Sequence, residues 1–461
     1  MWRVTSHALR LVDARCWQRQ LCQPSPGSLR CHPAWTSGAA AARGLSRTAP
    51  AVRFSPGARS LFDEPLGIAV QGLRPRQPVT LRASVQDEAG ERFEASARYE
   101  AEESGELDLG RSPALPGGSF CGLEPMGLLW ALQPQKPFWC MVKRDVQTPL
   151  RLLLEVFEGH GPPPGRLLAQ GQHERIFLRD GVQRVPVREG RIRGTLFLPP
   201  GEAPFPGIID IHGLEGGLLE YRASLLANYG FATLALAYYH YEDLPQKPTE
   251  LHLEYFEEAV NYMLQHPQVR RPRLGLLGYS KGGELCLAMA AFLKNITAVA
   301  SINSPVTITA IPLCYKDKTI PHLPWHEERA TVNQSNIYDC SDVLDDPFQV
   351  PDHQSRIPVE NIEAKLLFIA GQDDNLIKSE YFAIEACKRL QAQGKNNFQI
   401  LSYPGTGHCF DPPFFPLNAI GRHPVLLKRV FLGGELKAYS KAQVQAWLEI
   451  QAFFNKHLNE K

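Results

Sequence analysis

The sequence lacks several features that would assign it to a broad class at once. No apolar run approaches the length of a transmembrane helix, so we expect no membrane span. The 49 Lys and Arg residues almost cancel the 48 Asp and Glu residues, which leaves a formal net charge of +1. This balance gives no support for binding to nucleic acid or to an acidic membrane surface. Internal repeats and heptad patterns are also missing, which excludes a solenoid or a coiled coil.

The ten cysteines form no C-x-x-C pair and show no zinc-ligand spacing. Cys16, Cys22 and Cys31 lie in the N-terminal segment described next, which leaves seven cysteines for the rest of the chain. An odd number in apolar or mixed surroundings argues against a disulfide framework. The pattern favours reduced thiols in an intracellular compartment.

The first 60 residues differ in composition from the rest. They contain arginine at positions 3, 10, 15, 19, 30, 43, 47, 53 and 59, no lysine, and a single acid, Asp13. They also lack the uninterrupted apolar core of a secretory signal. An arginine-rich, acid-poor leader is typical of a mitochondrial transit peptide. We therefore expect residues 1–60 to direct the protein to the mitochondrial matrix, the alternative being a disordered extension on a cytoplasmic protein.

Residues 61–184 show the period-two alternation of β-strands. Apolar and polar residues alternate over 79–85 and 93–99, and residues 150–157 form a further strand candidate. Clusters of Gly and Pro separate these runs. Short strands with frequent turns predict an N-terminal β-sandwich domain.

From residue 185 to residue 461, strand patterns alternate with helix patterns. The predicted strands are 205–211, 231–237, 274–277, 296–302, 366–370 and 398–402, and the predicted helices are 218–229, 251–265, 284–291, 378–393 and 441–458. This order predicts a mostly parallel sheet with helices on both faces. Residues 303–364 interrupt it with proline, charge and few periodic runs, so we expect an insertion that forms a lid, a binding loop or a small subdomain.

The turn between the strand 274–277 and the following helix carries the motif Gly-Tyr-Ser-Lys-Gly-Gly at 278–283. A G-x-S-x-G between a strand and a helix is typical of the nucleophile elbow of α/β-hydrolases. The residues two positions before and two positions after the serine must be small, because their backbones nearly touch. Gly278 and Gly282 occupy these positions. The motif predicts an α/β-hydrolase with Ser280 as nucleophile.

In this fold the acid and then the base follow the nucleophile along the chain, each in a loop after a strand. Two acids, Asp373 and Asp374, follow the strand 366–370, and Asp374 stands at the usual position for the catalytic acid. His408 lies in a glycine-rich loop after the strand 398–402 and is the predicted base. A neutral imidazole can take the serine proton during attack, while the carboxylate orients the ring and stabilises its charged form.

The oxyanion of the tetrahedral intermediate needs preset N–H donors. We expect one from the backbone of Lys281, directly after the nucleophile, and another from Gly213 or Leu214, in the loop after the strand 205–211. His212 in that loop is expected to be part of an H-G-type oxyanion loop rather than a base. For the Lys281 side chain, attraction of an anionic substrate group and simple solvent exposure at the helix start stay equally open.

Longer stretches resemble one family. Residues 278–286 are similar to the elbow of the type-I acyl-CoA thioesterases, a family that also contains the bile acid-CoA:amino acid N-acyltransferase. Residues 122–130, 217–226 and 237–245 resemble further parts of the same family. The resemblance covers nearly the whole chain after the leader. It implies a β-sandwich followed by an α/β-hydrolase domain, with a triad on Ser280, Asp374 and His408.

The resemblance also implies a reaction: hydrolysis of acyl-CoA to a free fatty acid and CoA through an acyl-enzyme, with no metal or redox cofactor. The acyltransferase members use cysteine as nucleophile, whereas Ser280 stands here, which favours water as the final acceptor. Acyl transfer to glycine or taurine, hydrolysis of general carboxylic esters, and an inactive acyl-CoA-binding protein are the alternatives.

Overall fold

The computed structural model describes residues 49–162, 164–350 and 353–459. Residues 1–48, which make up most of the predicted leader, lie outside the described residues. The first part of the described chain is built from short strands and one four-residue helix, α1 (Gly127–Trp130). Its strands are β1 (Ala51–Ser55), β2 (Arg59–Leu61), β3 (Gly67–Gln71), β4 (Pro78–Gln86), β5 (Arg92–Glu100), β6 (Leu107–Asp108), β7 (Gln133–Pro134), β8 (Leu150–Glu158) and β9 (Leu167–Ile176).

These strands form two sheets, with the orders β1-β3-β6 and β2-β9-β8-β4-β5-β7. Alternate residues of β4 and β5 are buried, as the period-two pattern predicts, because successive side chains of a strand point to opposite faces. Leu81 of β4 and Ala97 of β5 share one core cluster with Val70 of β3, so the two sheets enclose a common core. The predicted β-sandwich is confirmed.

Two strands lie inside the segment predicted as leader. β1 pairs antiparallel with β3, and β2 pairs parallel with β9. The folded part of the chain therefore begins about ten residues before residue 61, the expected start of the sandwich. Composition alone missed this because Arg53 and Arg59 continue the arginine-rich pattern of the leader into paired strands.

The second part of the chain alternates strands with helices. Its helices are α2 (Tyr221–Ala227), α3 (Leu253–Gln265), α4 (Lys281–Phe292), α5 (Ser379–Ala392) and α6 (Leu436–Asn459). Its strands are β10 (Gln183–Val187), β11 (Arg193–Leu198), β12 (Phe205–Ile211), β13 (Ala232–Ala237), β14 (Leu251–His252), β15 (Val269–Tyr279), β16 (Ile296–Ile302), β17 (Leu313–Tyr315), β18 (Lys318–Ile320), β19 (Thr331–Val332), β20 (Tyr338–Asp339), β21 (Lys365–Gly371), β22 (Phe398–Tyr403), β23 (Ile420–Arg422) and β24 (Arg429–Phe431). None of the helices in the described ranges has the length and apolar content needed to cross a membrane.

The main sheet has the strand order β10-β11-β13-β12-β15-β16-β21-β22. Its pairs from β13–β12 through to β21–β22 are parallel, while β10–β11 and β11–β13 are antiparallel. This is the strand order of the α/β-hydrolase fold, so the predicted fold class is confirmed. Parallel strands end at the same edge of a sheet, which brings the turns after β15, β16, β21 and β22 together.

Helices cover both faces of this sheet. Neighbouring residues of β12 face different cores, since Ile208 belongs to one apolar cluster and Ile209 to the other. Buried residues of α2 and α6 lie in the first cluster, and those of α3, α4 and α5 lie in the second. Each face of the buried sheet is thus sealed by its own helices, as the strand and helix pattern predicts.

The segment 303–364 contains short strands that pair with neighbouring parts of the chain. β17 pairs antiparallel with β18 and parallel with β14, directly before α3. β19 and β20 join a second small sheet with β23 and β24, which follow the predicted base in the chain. The segment is therefore attached to the hydrolase core at two places.

The sandwich also contacts the loop that follows the predicted base. The ring centroids of Phe62 and Phe415 lie 4.5 Å apart. The indole Nε1–H of Trp447, on α6, donates to Asp63 Oδ2 at 2.6 Å in a buried hydrogen bond. These contacts fix the residues directly after β2 against α6 and against the loop that follows His408.

Candidate active site

Ser280 lies in the sharp turn between β15 and α4. Its backbone has φ +53° and ψ −123°, a conformation that residues other than glycine rarely adopt and that marks a strained turn. An ideal Cβ on Gly278 would lie 2.5 Å from Gly283 Cα, and one on Gly282 would lie 2.5 Å from His212 O. Both glycines are therefore required by close backbone approach, as the elbow motif predicts.

The three predicted triad residues meet at the edge of the sheet. The His408 ring lies between the other two, with Nε2 at 3.0 Å from Ser280 Oγ and Nδ1 at 2.8 Å from Asp374 Oδ2. All three residues are at least 91 % buried, since their exposed fractions are 9 %, 3 % and 9 % for Ser280, His408 and Asp374. The tautomer with its proton on Nδ1 satisfies both bonds: Nδ1–H donates to the carboxylate, and the serine hydroxyl donates to Nε2.

Asp374 is held by several further donors. Its Oδ1 accepts the backbone N–H groups of Leu376 and Ile377 at 3.0 and 2.9 Å, and its Oδ2 accepts the hydroxyl of Ser379. These bonds come from the turn that leads into α5, so the start of that helix fixes the carboxylate. A fixed carboxylate can orient the imidazole without reorganising.

Asp373 has a different role. Its Oδ2 accepts the backbone N–H of Gly434 at 2.8 Å, and its own N–H donates to Thr406 O at 3.0 Å. These bonds connect the turn after β21 to the loop that precedes α6, at Gly434, and to the His408 loop, at Thr406. The structure therefore places Asp374, and not its neighbour, against His408.

Asn303 is a functional candidate that sequence reasoning missed. Its side-chain N–H₂ donates to Gly407 O and His408 O at 2.8 and 2.7 Å, and its Oδ1 accepts Gly371 N–H at 2.7 Å. The residue is fully buried at the end of β16 and has φ +43°. It thus ties the histidine loop to the strand that precedes Asp374. The sequence does contain a signal for Asn303: it is a polar residue at the end of a buried strand, and the neighbouring strands lead to the residues of the predicted triad.

The loop predicted to help bind the oxyanion lies directly against the nucleophile. An ideal Cβ on Gly213 would be 3.1 Å from Ser280 Cβ. The hydroxyl of Tyr238 donates to Gly213 O at 2.7 Å, and that of Tyr239 donates to Leu214 O. The two tyrosines follow β13 and were not singled out from the sequence. They fix the carbonyl groups of the loop, and with them its peptide planes.

No hydrogen bond joins His212 to Ser280, and His212 lies instead beside a buried ion pair. Its Nε2 is 3.6 Å from Asp210 Oδ2, and Arg222 Nε donates to Asp210 Oδ1 at 2.7 Å. Burial alone would raise the pKa of Asp210, but the charge of Arg222 and the contact with His212 hold it below its usual value. This arrangement anchors α2 to the end of β12 and is consistent with a supporting part for His212 in the loop.

The structure contradicts both expectations for the Lys281 side chain. It is neither exposed nor available to an anionic substrate, because it is 1 % exposed. Its ammonium donates to Glu284 Oε1 at 2.5 Å, to Thr309 O at 2.7 Å and to Ile311 O at 3.1 Å. Burial lowers the pKa of Lys281 and raises the pKa of Glu284, and each effect is partly offset by the opposite charge. The side chain therefore clamps the segment 309–311 onto the start of α4.

The chain is similar to known proteins over most of its length. The family description "Acyl-CoA thioester hydrolase/BAAT N-terminal region" matches residues 63–189, and "BAAT / Acyl-CoA thioester hydrolase C terminal" matches residues 251–460. The human protein named acyl-coenzyme A thioesterase 2, mitochondrial, is 57% identical over 413 residues, which cover 90% of this chain and 85% of that protein. The chain belongs to the acyl-CoA thioester hydrolase/BAAT family.

Other members of the family are similarly close. Human acyl-coenzyme A thioesterase 1 is 58% identical in an alignment that covers 88% of this chain and 96% of that protein. The mouse protein named acyl-coenzyme A thioesterase 2, mitochondrial, is 52% identical over 449 residues, which cover 97% of this chain and 96% of that protein. A solved acylaminoacyl peptidase structure is 13% identical in an alignment that covers 89% of this chain and 62% of that chain, with a TM-score of 0.41.

The arrangement of the two acids predicts that the same substitution abolishes reactivity at one position and changes it little at the next. In Asp374→Asn the amide oxygen keeps the backbone N–H groups of Leu376 and Ile377, so the amide N–H₂ faces His408 Nδ1 and donates to it. The ring then carries its proton on Nε2 and cannot take the serine proton, so Ser280 should be labelled by a fluorophosphonate probe at least about 10³-fold more slowly. In Asp373→Asn the bond from Gly434 N–H is retained, and labelling should stay within about threefold of the wild type. Equal losses in the two variants, or the reverse order, would contradict the assignment. The measurement is the labelling rate of the folded proteins.

The Lys281 clamp predicts strong coupling between two buried charges. In Lys281→Met the Glu284 carboxylate loses its cationic partner, so the free energy of unfolding should fall by about 3–5 kcal/mol. In the double variant Lys281→Met/Glu284→Leu the unpaired charge is removed, and much of that loss should be recovered. Urea unfolding of the wild type, both single variants and the double variant measures the coupling. Additive effects would mean that the pair does not interact.

Proposed function

We propose that this chain hydrolyses acyl-CoA thioesters to a free fatty acid and CoA through an acyl-enzyme on Ser280. The observation that carries the proposal is the continuous hydrogen-bonded path from Ser280 Oγ through His408 to Asp374, in a chain of this family. Buried and fixed on three turns of one sheet edge, these groups have the reach and the order that nucleophilic acyl transfer needs.

In the first step, Ser280 Oγ attacks the thioester carbonyl carbon while its proton moves to His408 Nε2. The tetrahedral intermediate then collapses: the C–S bond breaks, and the sulfur leaves with the proton from His408 as the thiol of CoA. A thiolate is already a good leaving group. The main tasks of the protein are therefore positioning and stabilisation of the oxyanion.

Two backbone N–H groups are proposed to bind the oxyanion. Lys281 is the first residue of α4, and N–H groups in the first turn of a helix have no acceptor within the helix. The second donor is proposed to be Gly213 or Leu214, whose loop lies against Ser280 and is held by Tyr238 and Tyr239. Loss of one such donor typically costs about 10²–10³ in rate.

In the second step, His408 takes a proton from water, which attacks the acyl-serine ester and releases the fatty acid. The competing reaction transfers the acyl group to an amine such as glycine or taurine. An oxygen nucleophile at position 280 favours water, because the serine ester is less activated toward amines than a thioester would be. No observation in the described residues favours the amine acceptor over water.

The proposal is tested by release of free thiol from a series of acyl-CoAs. Ser280→Ala and His408→Ala should each lose turnover by at least about 10³-fold while remaining folded, because the nucleophile or its base is missing. The matched control is His322→Ala, which removes an exposed histidine of the segment 303–364 and should leave turnover unchanged. Full activity in Ser280→Ala would contradict the mechanism.

The same reactions identify the acceptor and the ester class. Mass spectrometry of products formed with glycine or taurine present should show the free acid alone, and conjugates at comparable yield would establish acyl transfer instead. Oxygen esters of the same acyl groups should be cleaved more slowly than the thioesters. A preference for oxygen esters would indicate a general carboxylesterase.

We also propose that the chain is delivered to the mitochondrial matrix. Its first 48 residues are rich in arginine and contain one acid. Two of the relatives are named mitochondrial, and the alignment of 449 residues with the mouse protein must extend into this leader, since only 413 of the 461 residues follow residue 48. The name of human acyl-coenzyme A thioesterase 1 states no compartment, so family membership does not decide the location.

Localisation is predicted to depend on the arginines of the leader. A fluorescent protein that carries residues 1–48 at its N-terminus should enter mitochondria, because import sequences combine positive charge with an amphipathic pattern. The matched control replaces Arg10, Arg15 and Arg19 by Gln and should stay in the cytoplasm. Cytoplasmic fluorescence for both fusions would favour the cytoplasmic alternative. Fluorescence microscopy with a matrix marker makes the measurement.

A further inference from the structure

Three side chains with metal-binding atoms meet on the small sheet β14-β17-β18, away from the proposed triad. They are Glu250, His252 and Cys314, and their donor atoms all lie within 4.8 Å of one another. Glu250 Oε1 is 3.2 Å from His252 Nε2, and Glu250 Oε2 is 3.5 Å from Cys314 Sγ. Within the described ranges, this is the one group of three such residues at this spacing.

The pairing of the strands places these side chains on one face. His252 of β14 and Cys314 of β17 are direct partners in the parallel register. Partners in neighbouring strands point to the same side of a sheet. Glu250 lies in the bend directly before β14, two residues from His252. The strand pairing therefore brings His252 and Cys314 together, and the bend places the Glu250 carboxylate beside both.

The donors and their spacing fit zinc. Thiolate sulfur, imidazole nitrogen and carboxylate oxygen are the three ligand types that Zn²⁺ combines, with bond lengths of about 2.0–2.3 Å. A tetrahedral centre with such bonds separates its ligand atoms by roughly 3.3–3.8 Å. The Glu250 carboxylate faces each of the other two donors at a distance close to this range, with a different oxygen toward each. One donor atom from each residue lies within 4.8 Å of the others, so binding one ion needs shifts of about 1 Å, which the partly exposed side chains can make.

We propose that Glu250, His252 and Cys314 form a binding site for Zn²⁺ or a similar thiophilic divalent cation. The Cys314 thiol loses its proton to solvent as the metal–sulfur bond forms, and His252 binds as neutral imidazole. Three protein ligands leave one position for water. Hard cations such as Mg²⁺ and Ca²⁺ are excluded by the sulfur and nitrogen donors.

The position of the site gives it a structural consequence. It connects the residues just before α3 to β17, which begins two residues after Ile311. Ile311 O and Thr309 O are the carbonyls that hold the buried Lys281 ammonium beside the elbow. A bound metal therefore strengthens the attachment of this segment to the hydrolase core. It touches no reacting atom, so turnover does not require it.

The test uses the full chain with Cys16, Cys22 and Cys31 replaced by serine, because these thiols could bind metal themselves. Co²⁺ serves as the probe, since a cobalt–thiolate bond gives an intense charge-transfer absorption band in the near ultraviolet. The band should saturate at one equivalent of Co²⁺ and disappear when Zn²⁺ is added, but not when Mg²⁺ is added. It should be lost in Cys314→Ser, and His252→Ala should weaken Co²⁺ binding by at least about tenfold.

The matched control is Cys121→Ser, which removes an exposed cysteine of the sandwich and should keep the band. Zn²⁺ should also raise the Tm of the parent protein by about 2 °C or more, with no rise in Cys314→Ser. No band in the parent, or a band of equal intensity in Cys314→Ser, overturns the proposal. An equal Tm rise in both proteins shows adventitious zinc only and overturns it as well.

Discussion

The rest of the site depends on one imidazole ring that must contact an oxygen atom on either side at the same time. The His408 ring is 2.8 Å from Asp374 and 3.0 Å from Ser280, and the residues come from turns far apart in the chain. The parallel sheet solves this problem, since four neighbouring strands, β15, β16, β21 and β22, end at one edge. They deliver in turn Ser280, Asn303, the Asp373–Asp374 turn and the His408 loop. Asn303 joins the last two by hydrogen bonds, so β16 contributes alignment, whereas β15, β21 and β22 lead to the residues of the proposed triad.

Buried charge fixes the elements around this edge. The pair Lys281–Glu284 ties the segment after Asn303 to α4, and the pair Asp210–Arg222 ties α2 to the end of β12. Buried ion pairs add little net stability compared with apolar packing, but breaking one is costly, so they favour a single arrangement of their surroundings. Here they lie on both sides of the strained turn at Ser280. We infer that they hold the loop of Gly213 and the segment 309–311 at fixed distances from the nucleophile.

Much of the fold could be predicted because its signals are local. The strands at 205–211 and 296–302 have the predicted bounds, since buried parallel strands are continuous apolar runs. Ser280, Asp374 and His408 follow strand ends in the chain order of the fold and could be found in the same way. α6 begins at Leu436 rather than at the predicted 441, because the Glu435 carboxylate accepts the backbone N–H groups of Lys437 and Ala438 and so caps the first turn. The contacts of Lys281 could not be predicted, since its acceptors lie 28 and 30 residues away on irregular chain. The contacts of Asn303, Tyr238 and Tyr239 could not be predicted either, because they depend on which loops meet at the edge of the sheet.

We propose that the acyl group passes through the oxygen of Ser280, made reactive by His408. Mass spectrometry of the enzyme, quenched with acid during the first turnover of an acyl-CoA, tests this directly. We expect a mass increase of one acyl group on the peptide that contains Ser280, formed together with an equal amount of free CoA. An acyl group found on another side chain, such as the neighbouring thiol of Cys409, would contradict it.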